Sequence, residues 1–459
     1  MAVIHTTKQH ESGIALGGIG SGSVELFPDG EFHRWQIANE PRWAERSDGR
    51  HVDDGEGSTG ALSFWFRSED GEKVIVRKLG MKTDADDFTY RMFTWNKPVE
   101  EITFDGKFPV CDVTYEDSAL PVNVKMRAVS PFVPHHTDDS ATPGFYLDFT
   151  IENPTDRTIT ASLLSSLEPN FCNNGGCVNE RYTDGDVCGI FIDTPKVYPW
   201  EDRFTERNRG SLCYSVEGGE ISYITADNFR FLREYVASSD LGVSQESFLF
   251  GFRETGEMPN TDAGVRPRSI PNDVSELKDE AVDKYVSEML RYPFALSLLK
   301  RVRHLKPEYP KTRAEKEEFL NACRLSFRRM GDDFGSCALC GKVVLAPKET
   351  KKVRFILTWF FPNHFGEYHN RLGHYYENLF ENAKDANLHL SRRRSDIEEK
   401  VEKFAELLYN TSLPQIYPDA WSAHLSTIVK CSWYIKDGKF GLWEGLGSCG
   451  FHTTDITYH

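Results

Sequence analysis

The chain has 459 residues, of which 27% are charged and 39% hydrophobic, and its formal net charge is −16. This composition excludes wholesale disorder, and the length corresponds to two or three domains of ordinary size. The excess of acidic residues argues against a nucleic-acid or anionic-membrane partner, because either partner would require a cationic face.

The chain begins without a basic segment followed by an apolar one, and no stretch of it approaches the length of an apolar membrane span. We therefore expect neither a signal peptide nor a transmembrane segment. The ten cysteines are too few for a disulfide scaffold, so we expect reduced thiols. Together these features predict a cytoplasmic protein.

Residues 1 to about 260 have the pattern of successive strands. In one of them, a single face carries apolar residues at a period of two, namely Phe145, Leu147, Phe149 and Ile151. The turn sequence Asn153-Pro154-Thr155-Asp156 then leads into another strand at 158–164. Repeated short runs of this kind predict a large antiparallel β-sandwich.

The pattern changes between about 261 and 335, where two charged stretches, 275–299 and 312–329, have helical character. We interpret this segment either as an insertion or as helices that cover one edge of the sandwich. The strand pattern returns at 343–360, where one face carries Val353, Phe355, Leu357 and Trp359.

Helices are predicted after Gly366, the first of them over residues 368–386. A second helix is predicted to begin at a capping box formed by Ser395 and Glu398. Its apolar stripe consists of Ile397, Val401, Phe404 and Leu408. A third helix is predicted to follow Pro418, with Trp421, Leu425, Ile428 and Ser432 on one line.

The densest glycine run lies at residues 13–22. It lacks the glycine spacing of a dinucleotide-binding fingerprint and the lysine of a phosphate-binding loop. A strand pattern follows it, whereas both of those motifs lead into a helix. We therefore predict a tight turn between packed strands.

Cys337 and Cys340 have the spacing of half a zinc site. A four-ligand site needs a second pair, and the candidate pair, Cys172 and Cys177, is distant in the sequence. We predict two buried structural thiols and no bound metal.

A second candidate for metal binding is His135-His136 beside Asp138-Asp139. No other cluster accompanies it, so an exposed polar loop is the better interpretation. The common metalloprotease and esterase signatures are absent from the sequence.

The stretch 441–459 places two carboxylates, Glu444 and Asp455, among glycines, aromatic residues and hydroxyl groups. Loops of this kind on a rigid scaffold often hold functional sites. Paired carboxylates are required for glycoside hydrolysis, in which one attacks or activates water and the other protonates the leaving oxygen. On spacing alone, two unrelated surface acids are the better interpretation.

Three separated blocks resemble glycoside hydrolase family 116, the family of the non-lysosomal (bile-acid) glucosylceramidases and their prokaryotic β-glucosidase relatives. The first block comprises Leu16-Gly-Gly-Ile-Gly-Ser-Gly22 and Asp29-Gly-Glu-Phe-His-Arg-Trp-Gln36. The second comprises Ser130-Pro-Phe-Val-Pro134, Asp138-Asp-Ser140, Pro143 and Phe149-Thr-Ile-Glu-Asn153. The third comprises Gly373-His-Tyr-Tyr-Glu-Asn-Leu-Phe380, Asp419-Ala-Trp-Ser, Trp443-Glu-Gly445 and Thr454-Asp455.

The resemblance implies a multidomain β-then-α chain, with a large antiparallel β-sandwich at 1–366 followed at 367–459 by the start of an (α/α)6 barrel. It implies a retaining β-glucosidase or glucosylceramidase-like activity without a cofactor. In that reaction Glu444 is the nucleophile and Asp455 holds glucose hydroxyls, and we expect Trp443 to pack beside the sugar. The chain has His452-Thr-Thr454 before Asp455, where better-known members have Tyr, so the resemblance leaves the sugar open.

The family's acid/base Asp has no counterpart within the 459 residues, and the stretch after Gly366 is too short for twelve barrel helices. We therefore expect the N-terminal portion of a longer enzyme, inactive and prone to self-association when isolated. The alternative is a non-catalytic carbohydrate-binding or scaffold protein derived from the same fold.

Overall fold

The structure is a computed structural model. It describes residues 3–10, 12–39, 60–71, 73–81, 97–169, 178–193, 209–225, 248–260, 274–275, 277–289, 310–329, 337–366 and 370–442. Across these ranges the protein is mostly β, with large antiparallel sheets and few helices.

The first ten strands precede a short helix, and ten more follow it. The first ten are β1 (Ile4–Thr6), β2 (Ile14–Leu16), β3 (Ser23–Leu26), β4 (Phe32–Gln36), β5 (Gly60–Asp70), β6 (Lys73–Lys78), β7 (Lys97–Pro98), β8 (Glu101–Asp105), β9 (Val110–Glu116) and β10 (Asn123–Val129). The others are β11 (Gly144–Glu152), β12 (Ile159–Pro169), β13 (Val178–Asp184), β14 (Val187–Asp193), β15 (Ser211–Glu217), β16 (Glu220–Ile224), β17 (Cys337–Leu345), β18 (Thr350–Phe360), β19 (Ser432–Tyr434) and β20 (Phe440–Leu442).

Within the described ranges these strands form two large sheets and two small ones. The nine-stranded sheet has the order β1-β8-β9-β10-β11-β18-β15-β14-β13, and the six-stranded sheet has the order β16-β17-β12-β5-β6-β7. Strands β2-β3-β4 and β19-β20 form the small sheets. Neighbouring strands are antiparallel except β6 and β7.

The core lies between the two large sheets. The Phe64 ring on β5 lies 4.8 Å from the Phe149 ring on β11 and 5.3 Å from the Phe355 ring on β18. All three side chains are buried. Alternating apolar residues on facing strands thus meet ring to ring, as the predicted β-sandwich requires.

Six helices accompany the sheets in the described residues, and they are α1 (Thr137–Ser140), α2 (Phe248–Thr255), α3 (Asp279–Met289), α4 (Arg313–Arg329), α5 (Ala383–Tyr409) and α6 (Ile416–Cys431). Helices α3 and α4 lie within the two stretches that the sequence predicts to be helical. They are joined by an ion pair between Arg313 and Asp279 at 2.8 Å. Whether this segment is an insertion stays a prediction.

The outer face of the nine-stranded sheet is covered by helix α5. Leu390, Ile397 and Val401 of the helix form one buried cluster with Tyr146 and Ile356 of the sheet. The hydroxyl of Tyr146 also donates to the carbonyl oxygen of Leu390 at 3.1 Å. Strands β11 and β18 are therefore buried on both faces, and the predicted stripe on Ile397 and Val401 faces the sandwich.

The predicted helix over 368–386 is wrong. The described part of this segment holds a single 3-10 turn, Tyr375–Asn378, and α5 begins only at Ala383. The Oδ1 atom of Asn382 accepts a hydrogen bond from the backbone N–H of Asp385 at 3.0 Å, which caps the helix there. The predicted capping box at Ser395 and Glu398 is also wrong, because both residues lie inside α5.

Helix α6 does follow the prediction in position, but it buries a different face. Ser422, Ser426 and Val429 are buried, whereas Trp421 is 42% exposed. The hydroxyl oxygen of Ser422 accepts a hydrogen bond from the backbone N–H of Phe108 at 2.7 Å. The buried face is thus centred on small serines, which allow the helix to approach the sandwich backbone closely. Of the predicted line, Leu425 is partly buried and packs against the central core, whereas Ser432 is the first residue of β19 rather than part of the helix.

The Cys337 and Cys340 thiols are both buried in β17. Residues three apart on a strand point to opposite faces, and accordingly Cys337 belongs to the central core and Cys340 to a separate cluster with Phe252 and Met258. Burial raises the pKa of both thiols, that of Cys340 to about 12. The two sulfur atoms are therefore not arranged as one pair of metal ligands, which supports the predicted structural role.

Candidate functional site

The predicted site residues Trp443, Glu444 and Asp455 lie outside the described residues. Strand β20 ends at Leu442, two residues before Glu444 in the sequence. The structure therefore describes the surroundings of β20, the strand that leads to the predicted site, but not the site residues themselves.

Strands β19 and β20 form a hairpin directly after helix α6. In its ladder, Ser432 lies opposite Leu442, Trp433 opposite Gly441 and Tyr434 opposite Phe440. The turn contains Gly438 at a φ of 87°, a left-handed conformation that favours glycine. The hairpin thus places Ser432 directly opposite Leu442, the last residue that the structure describes.

The glycine run packs against this hairpin. It forms the predicted tight turn, because β2 and β3 on either side pair antiparallel. The backbone N–H of Gly20 donates to Oγ of Ser432 at 2.7 Å. A Cβ atom on Gly20 would lie 2.2 Å from Cβ of Tyr434, so this position has no room for a side chain.

Residues 17–22 of this run, hereafter the glycine loop, are fixed to the sandwich at three further points. The backbone N–H of Gly17 donates to Oγ of Ser130 at 3.2 Å, and that of Ile19 donates to the carbonyl oxygen of Ser140 at 2.7 Å. The indole N–H of Trp359, on β18, donates to the carbonyl oxygen of Ser21 at 2.6 Å. The loop is therefore an extension of the buried core.

His374 contacts the glycine loop from the other side. Its Nδ1 lies 3.0 Å from the carbonyl oxygen of Gly20, and its Nε2 lies 2.7 Å from Oδ1 of Asn39. Burial and the nearby His364 lower the pKa of His374 to about 3. At neutral pH the imidazole is therefore uncharged, and its one N–H serves as a hydrogen-bond donor rather than as an acid.

Tyr375 and Tyr434 join the segment after Gly373 to the hairpin. Their rings are stacked, with centroids 4.0 Å apart. The hydroxyl of Tyr375 donates to Oδ1 of Asp138 at 2.8 Å, and this hydrogen bond raises the pKa of Tyr375. The stack therefore connects the hairpin to the loop that contains Asp138.

Glu377 fixes the turn of the hairpin. Its Oε2 lies 2.6 Å from Nη2 of Arg371 and 3.2 Å from Nζ of Lys436. Its Oε1 accepts the backbone N–H of His374 at 2.8 Å. Gly373, at a φ of 65°, leaves the space that this carboxylate occupies.

Aromatic rings fill the space between these contacts. The His364 ring lies 4.4 Å from the ring of Trp433 and 5.0 Å from that of His374. Trp433 is the central residue of β19, so the hairpin also has an aromatic contact with the chain that follows β18.

The predicted polar loop around His135 and His136 is exposed, as expected. Asp139 differs, because it is only 3% exposed and forms an ion pair with Arg393 of α5. Among the described residues no group of three or more His, Cys, Asp or Glu side chains could hold a metal ion.

Three of the residues around the hairpin belong to the sequence blocks noted above, but the sequence alone does not predict that they lie together. Gly20, Asp138 and His374 come from three different blocks, and the fold brings all three to one place. Ser432 and Tyr434 belong to none of the blocks. No local pattern predicts these contacts, because they join residues that are distant in the sequence.

The geometry thus identifies a fixed support for the chain at Leu442 rather than a complete set of reacting groups. The carboxylates near the hairpin are already engaged, Asp138 by Tyr375 and Glu377 by Arg371 and Lys436. The described residues therefore identify no reacting carboxylate, and Glu444 stays a prediction from the sequence.

Comparison with known families gives one match. Residues 13–272 and 312–395 match the family described as beta-glucosidase 2, glycosyl-hydrolase family 116 N-terminal. The matched ranges include the glycine loop, every strand of the two large sheets except β1, and the first half of α5. No curated protein matches the sequence at a significant level.

Two solved structures have a weaker similarity. One is a polysaccharide lyase, with 11% identity and a TM-score of 0.29 over 79% of this chain and 33% of the other. The second, described as a kojibiose phosphorylase from the human microbiome, has 9% identity and a TM-score of 0.28 over 93% of this chain and 37% of the other. The chain thus spans little more than a third of the length of these structures.

In the helices that the structure describes, none combines the length and the apolar composition needed to cross a membrane.

Proposed function

The chain belongs to the N-terminal family of the beta-glucosidase 2 enzymes, glycosyl-hydrolase family 116, and from that premise we propose that it is the N-terminal portion of a retaining β-glucosidase. The observation that carries the proposal is the family match over residues 13–272 and 312–395. Its substrate would be a β-glucoside, with glucosylceramide-like lipids as one candidate class.

Glu444 is the proposed nucleophile. Its carboxylate attacks the anomeric carbon, and the bond from that carbon to the leaving oxygen breaks as the leaving oxygen takes a proton from a second carboxyl group. Water then hydrolyses the covalent glycosyl-enzyme. Asp455 orients ring hydroxyls by hydrogen bonds, and Trp443 packs beside the sugar.

The proton donor has no assigned residue in this chain. A retaining mechanism places it roughly 5–5.5 Å from the nucleophile, and the family resemblance assigns the role to an Asp that has no counterpart among the 459 residues. We therefore propose that the chain from residue 367 on is the start of an (α/α)6 barrel whose further helices supply this group. The 459-residue chain alone would fold its sandwich without turnover.

The rigid support at the hairpin favours an enzyme over a carbohydrate-binding or scaffold protein. The nucleophile of a retaining enzyme must be held within a fraction of an ångström of its productive position. The hydrogen bonds of Gly20, His374 and Tyr375 fix the hairpin, whose second strand ends at Leu442, two residues before Glu444 in the sequence.

The test uses the longer protein that contains this chain and a chromogenic β-glucoside. Glu444→Gln should abolish nearly all turnover, whereas Glu406→Gln, which changes an exposed carboxylate on α5, should not. Azide should restore turnover to Glu444→Gly and give an α-glucosyl azide, because azide then attacks the face left open by the missing carboxylate. Undiminished activity in Glu444→Gln would refute the proposal.

A further inference from the structure

We propose that the second half of helix α5, residues 394–409, is a pH-sensitive latch on the nine-stranded sheet and that a proton on Glu398 closes it. While the carboxyl group of Glu398 is protonated, this half of the helix is held against the sheet. When the group ionises, the contact loosens. The inference uses described residues alone and does not depend on the proposed function.

The first observation is a row of alternating charges on the outer face of the sheet. In the strand register, Arg127 on β10 lies opposite Asp148 on β11, and Asp148 lies opposite Arg354 on β18. Arg354 in turn lies opposite Glu217 on β15. Arg127 also forms two hydrogen bonds with Asp112 on β9, at 2.8 and 3.1 Å. Directly opposite side chains are within reach of one another, so each charge in the row has an opposite charge beside it.

Helix α5 adds three charged side chains to this row, one on each of three successive turns. Arg394 donates to Oε2 of Glu217 at 2.9 Å, and Glu402 accepts from Nη1 of Arg127 at 3.0 Å. Glu398 lies between them, four residues from each, with its Oε2 at 3.6 Å from Nε of Arg394. The helix and the sheet therefore meet through charged groups along this edge of the contact.

The centre of the row has one carboxyl group too many. Around Glu398, the carboxyl groups of Asp148, Glu217 and Glu398 share the guanidinium groups of Arg354 and Arg394. If all three carboxyl groups are ionised, one negative charge has no counterpart in this partly buried place. A proton on one of them restores the balance.

Two buried oxygen atoms show where the proton is needed. Oδ1 of Asp148 and Oε1 of Glu398 are closed off from solvent, and neither has a hydrogen-bond partner among the residues that the structure describes. The other oxygen of Asp148 lies 3.3 Å from Nε of Arg354, closer than Glu398 lies to Arg394. Glu398 is therefore the group that takes the proton, which removes the excess charge and makes its carboxyl group a hydrogen-bond donor.

The charged and titratable groups that face Glu398 come from four strands and from the helix itself. They are Tyr146 and Asp148 of β11, Arg354 of β18, Glu217 of β15, Arg127 of β10, and Arg394 and Glu402 of α5. Tyr146 stays uncharged, because burial raises its pKa and its hydroxyl donates to the Leu390 carbonyl oxygen.

The balance of these groups sets the direction of the switch. Burial, followed by the nearby Asp148, raises the pKa of Glu398 from 4.5 to about 7. In the loosened helix the pKa returns towards its ordinary value, so the closed latch holds a proton that the open latch releases. Closure is therefore favoured as the pH falls below about 7, and it is lost as the pH rises through that value.

The apolar contacts of the same half-helix do not change with pH. Ile397 and Val401 are buried against the sheet, and the Phe404 ring lies 5.8 Å from the ring of Phe132. Ionisation of Glu398 therefore does not release the helix from the sandwich. It increases how often residues 394–409 open.

The experiment measures amide hydrogen exchange of the 459-residue chain at pH 5 and pH 8, with the rates corrected for the intrinsic effect of pH. The protection factor of the amides at 394–409 reports how rarely this segment opens. We expect it to be about tenfold lower at pH 8 than at pH 5, because one pKa unit is a factor of ten and partial exposure of Glu398 reduces the full effect. The amides of β12 should be more strongly protected at both pH values.

Three variants assign the effect to the row of charges. Glu398→Gln stays neutral at every pH, so its protection factor at 394–409 should change less than about twofold. Asp148→Asn leaves equal numbers of carboxyl and guanidinium groups around Glu398, so it should also flatten the pH dependence. Glu406→Gln, which changes an exposed carboxylate of the same helix, should retain the tenfold change.

Two results would overturn the latch. One is a pH dependence at 394–409 that is absent from the unmodified chain or is equally large in Glu398→Gln. The other is protection at 394–409 equal to that of β12 at both pH values, because the helix would then open only when the whole sandwich unfolds. If Glu398→Gln does not fold, Asp148→Asn decides the first point, since the same balance of charges predicts its flat profile.

Discussion

The hydroxyl oxygen of Ser432 accepts a hydrogen bond from the backbone N–H of Gly20 at 2.7 Å, although 412 residues separate the two in sequence. Gly20 belongs to the turn between β2 and β3, and Ser432 begins the hairpin that leads to Glu444. The bond therefore joins the beginning of the β-sandwich to the segment in which we expect the chemistry.

A side chain at Gly20 should disrupt this junction. The Cβ atom that Gly20→Ala adds would lie 2.2 Å from Cβ of Tyr434, and Gly20 has a φ of 65°. Gly71→Ala is the matched control, because Gly71 has a φ of 61° and nothing within 4 Å of an added Cβ. We expect about 1–2 kcal/mol of destabilisation in the control from the backbone alone.

Gly20→Ala should lower the free energy of unfolding by about 1–3 kcal/mol more than Gly71→Ala does, which is the usual cost of overpacking. Urea unfolding of both variants measures the difference. Equal losses in the two variants would show that the hairpin does not pack closely on Gly20.

The carboxyl group of Glu398 should make stability depend on pH. Burial, followed by the nearby Asp148, raises its pKa to about 7, against the attraction of Arg394 and Arg354. The folded state then holds a proton that the unfolded state releases near pH 4.3. The stabilisation is fully present below that pH and is lost as the pH rises through about 7.

Glu398→Gln keeps the neutral form at every pH. Relative to the unmodified chain, the variant should gain about 2 kcal/mol of stability at pH 8 compared with pH 5, a value reduced for the partly exposed side chain. Glu406→Gln, on the exposed side of the same helix, should show no such gain. The measurement is the melting temperature of each protein at pH 5 and pH 8. If the difference between Glu398→Gln and the unmodified chain were the same at both pH values, the raised pKa would be contradicted.

Asn387 should be essential for the docking of helix α5. Its Oδ1 accepts hydrogen bonds from Tyr182 at 2.9 Å and Ser215 at 2.7 Å, and its Nδ2 donates to the Ile356 carbonyl oxygen at 3.1 Å. The side chain is fully buried. Asn387→Ala leaves these buried partners without their hydrogen bonds, so we expect the free energy of unfolding to fall by about 3 kcal/mol or more.

The control is Asn123→Ala, because Asn123 is exposed and donates only to Glu152. We expect it to cost less than about 0.5 kcal/mol. Urea unfolding measures both variants, and a similar small loss at Asn387 would mean that α5 is held mainly by its apolar contacts.

The end of α5 and the start of α6 expose an apolar patch, which we expect to drive self-association of the 459-residue chain. Leu407 is 64% exposed, Ile416 69% and Trp421 42%, and Leu413 and Tyr417 lie between them. Patches of this kind commonly mark association surfaces. The double variant Ile416→Ser, Trp421→Ser should associate less, so the average particle mass measured by light scattering should be lower.

The control change is Val344→Ser, which removes an exposed apolar residue of β17. It should leave the mass unchanged. A chain that is monomeric before any substitution would contradict the prediction.

The sandwich is predictable from the sequence because its signal is local. Alternation at a period of two marks β11 and β18, and their inward-facing residues, such as Phe149 and Phe355, meet in the core as expected. The helices are less predictable, because their ends depend on competing caps. Asn382 caps α5 and Ser395 does not, although both residues have suitable side chains.

The buried face of α6 shows why amphipathic patterns can mislead. The sequence favours Trp421, Leu425 and Ile428 as the buried line, yet Ser422 and Ser426 face the sandwich. Small polar residues carry no hydrophobic signal, but they satisfy hydrogen bonds at close approach, as Ser422 does for Phe108. The contacts of Gly20 and His374 were likewise not predictable, since each depends on residues hundreds of positions away.

The most direct test of the central claim uses an activated fluoroglucoside, an inactivator whose ring fluorine slows hydrolysis of the covalent intermediate. The test is to find which residue this inactivator labels. The longer protein is treated with the inactivator, digested and analysed by mass spectrometry. The account predicts one labelled peptide that contains Trp443-Glu444-Gly445, with the fluoroglucosyl group on the Glu444 carboxylate. A label on any other residue, or a covalent adduct that still forms in Glu444→Gln, would contradict it.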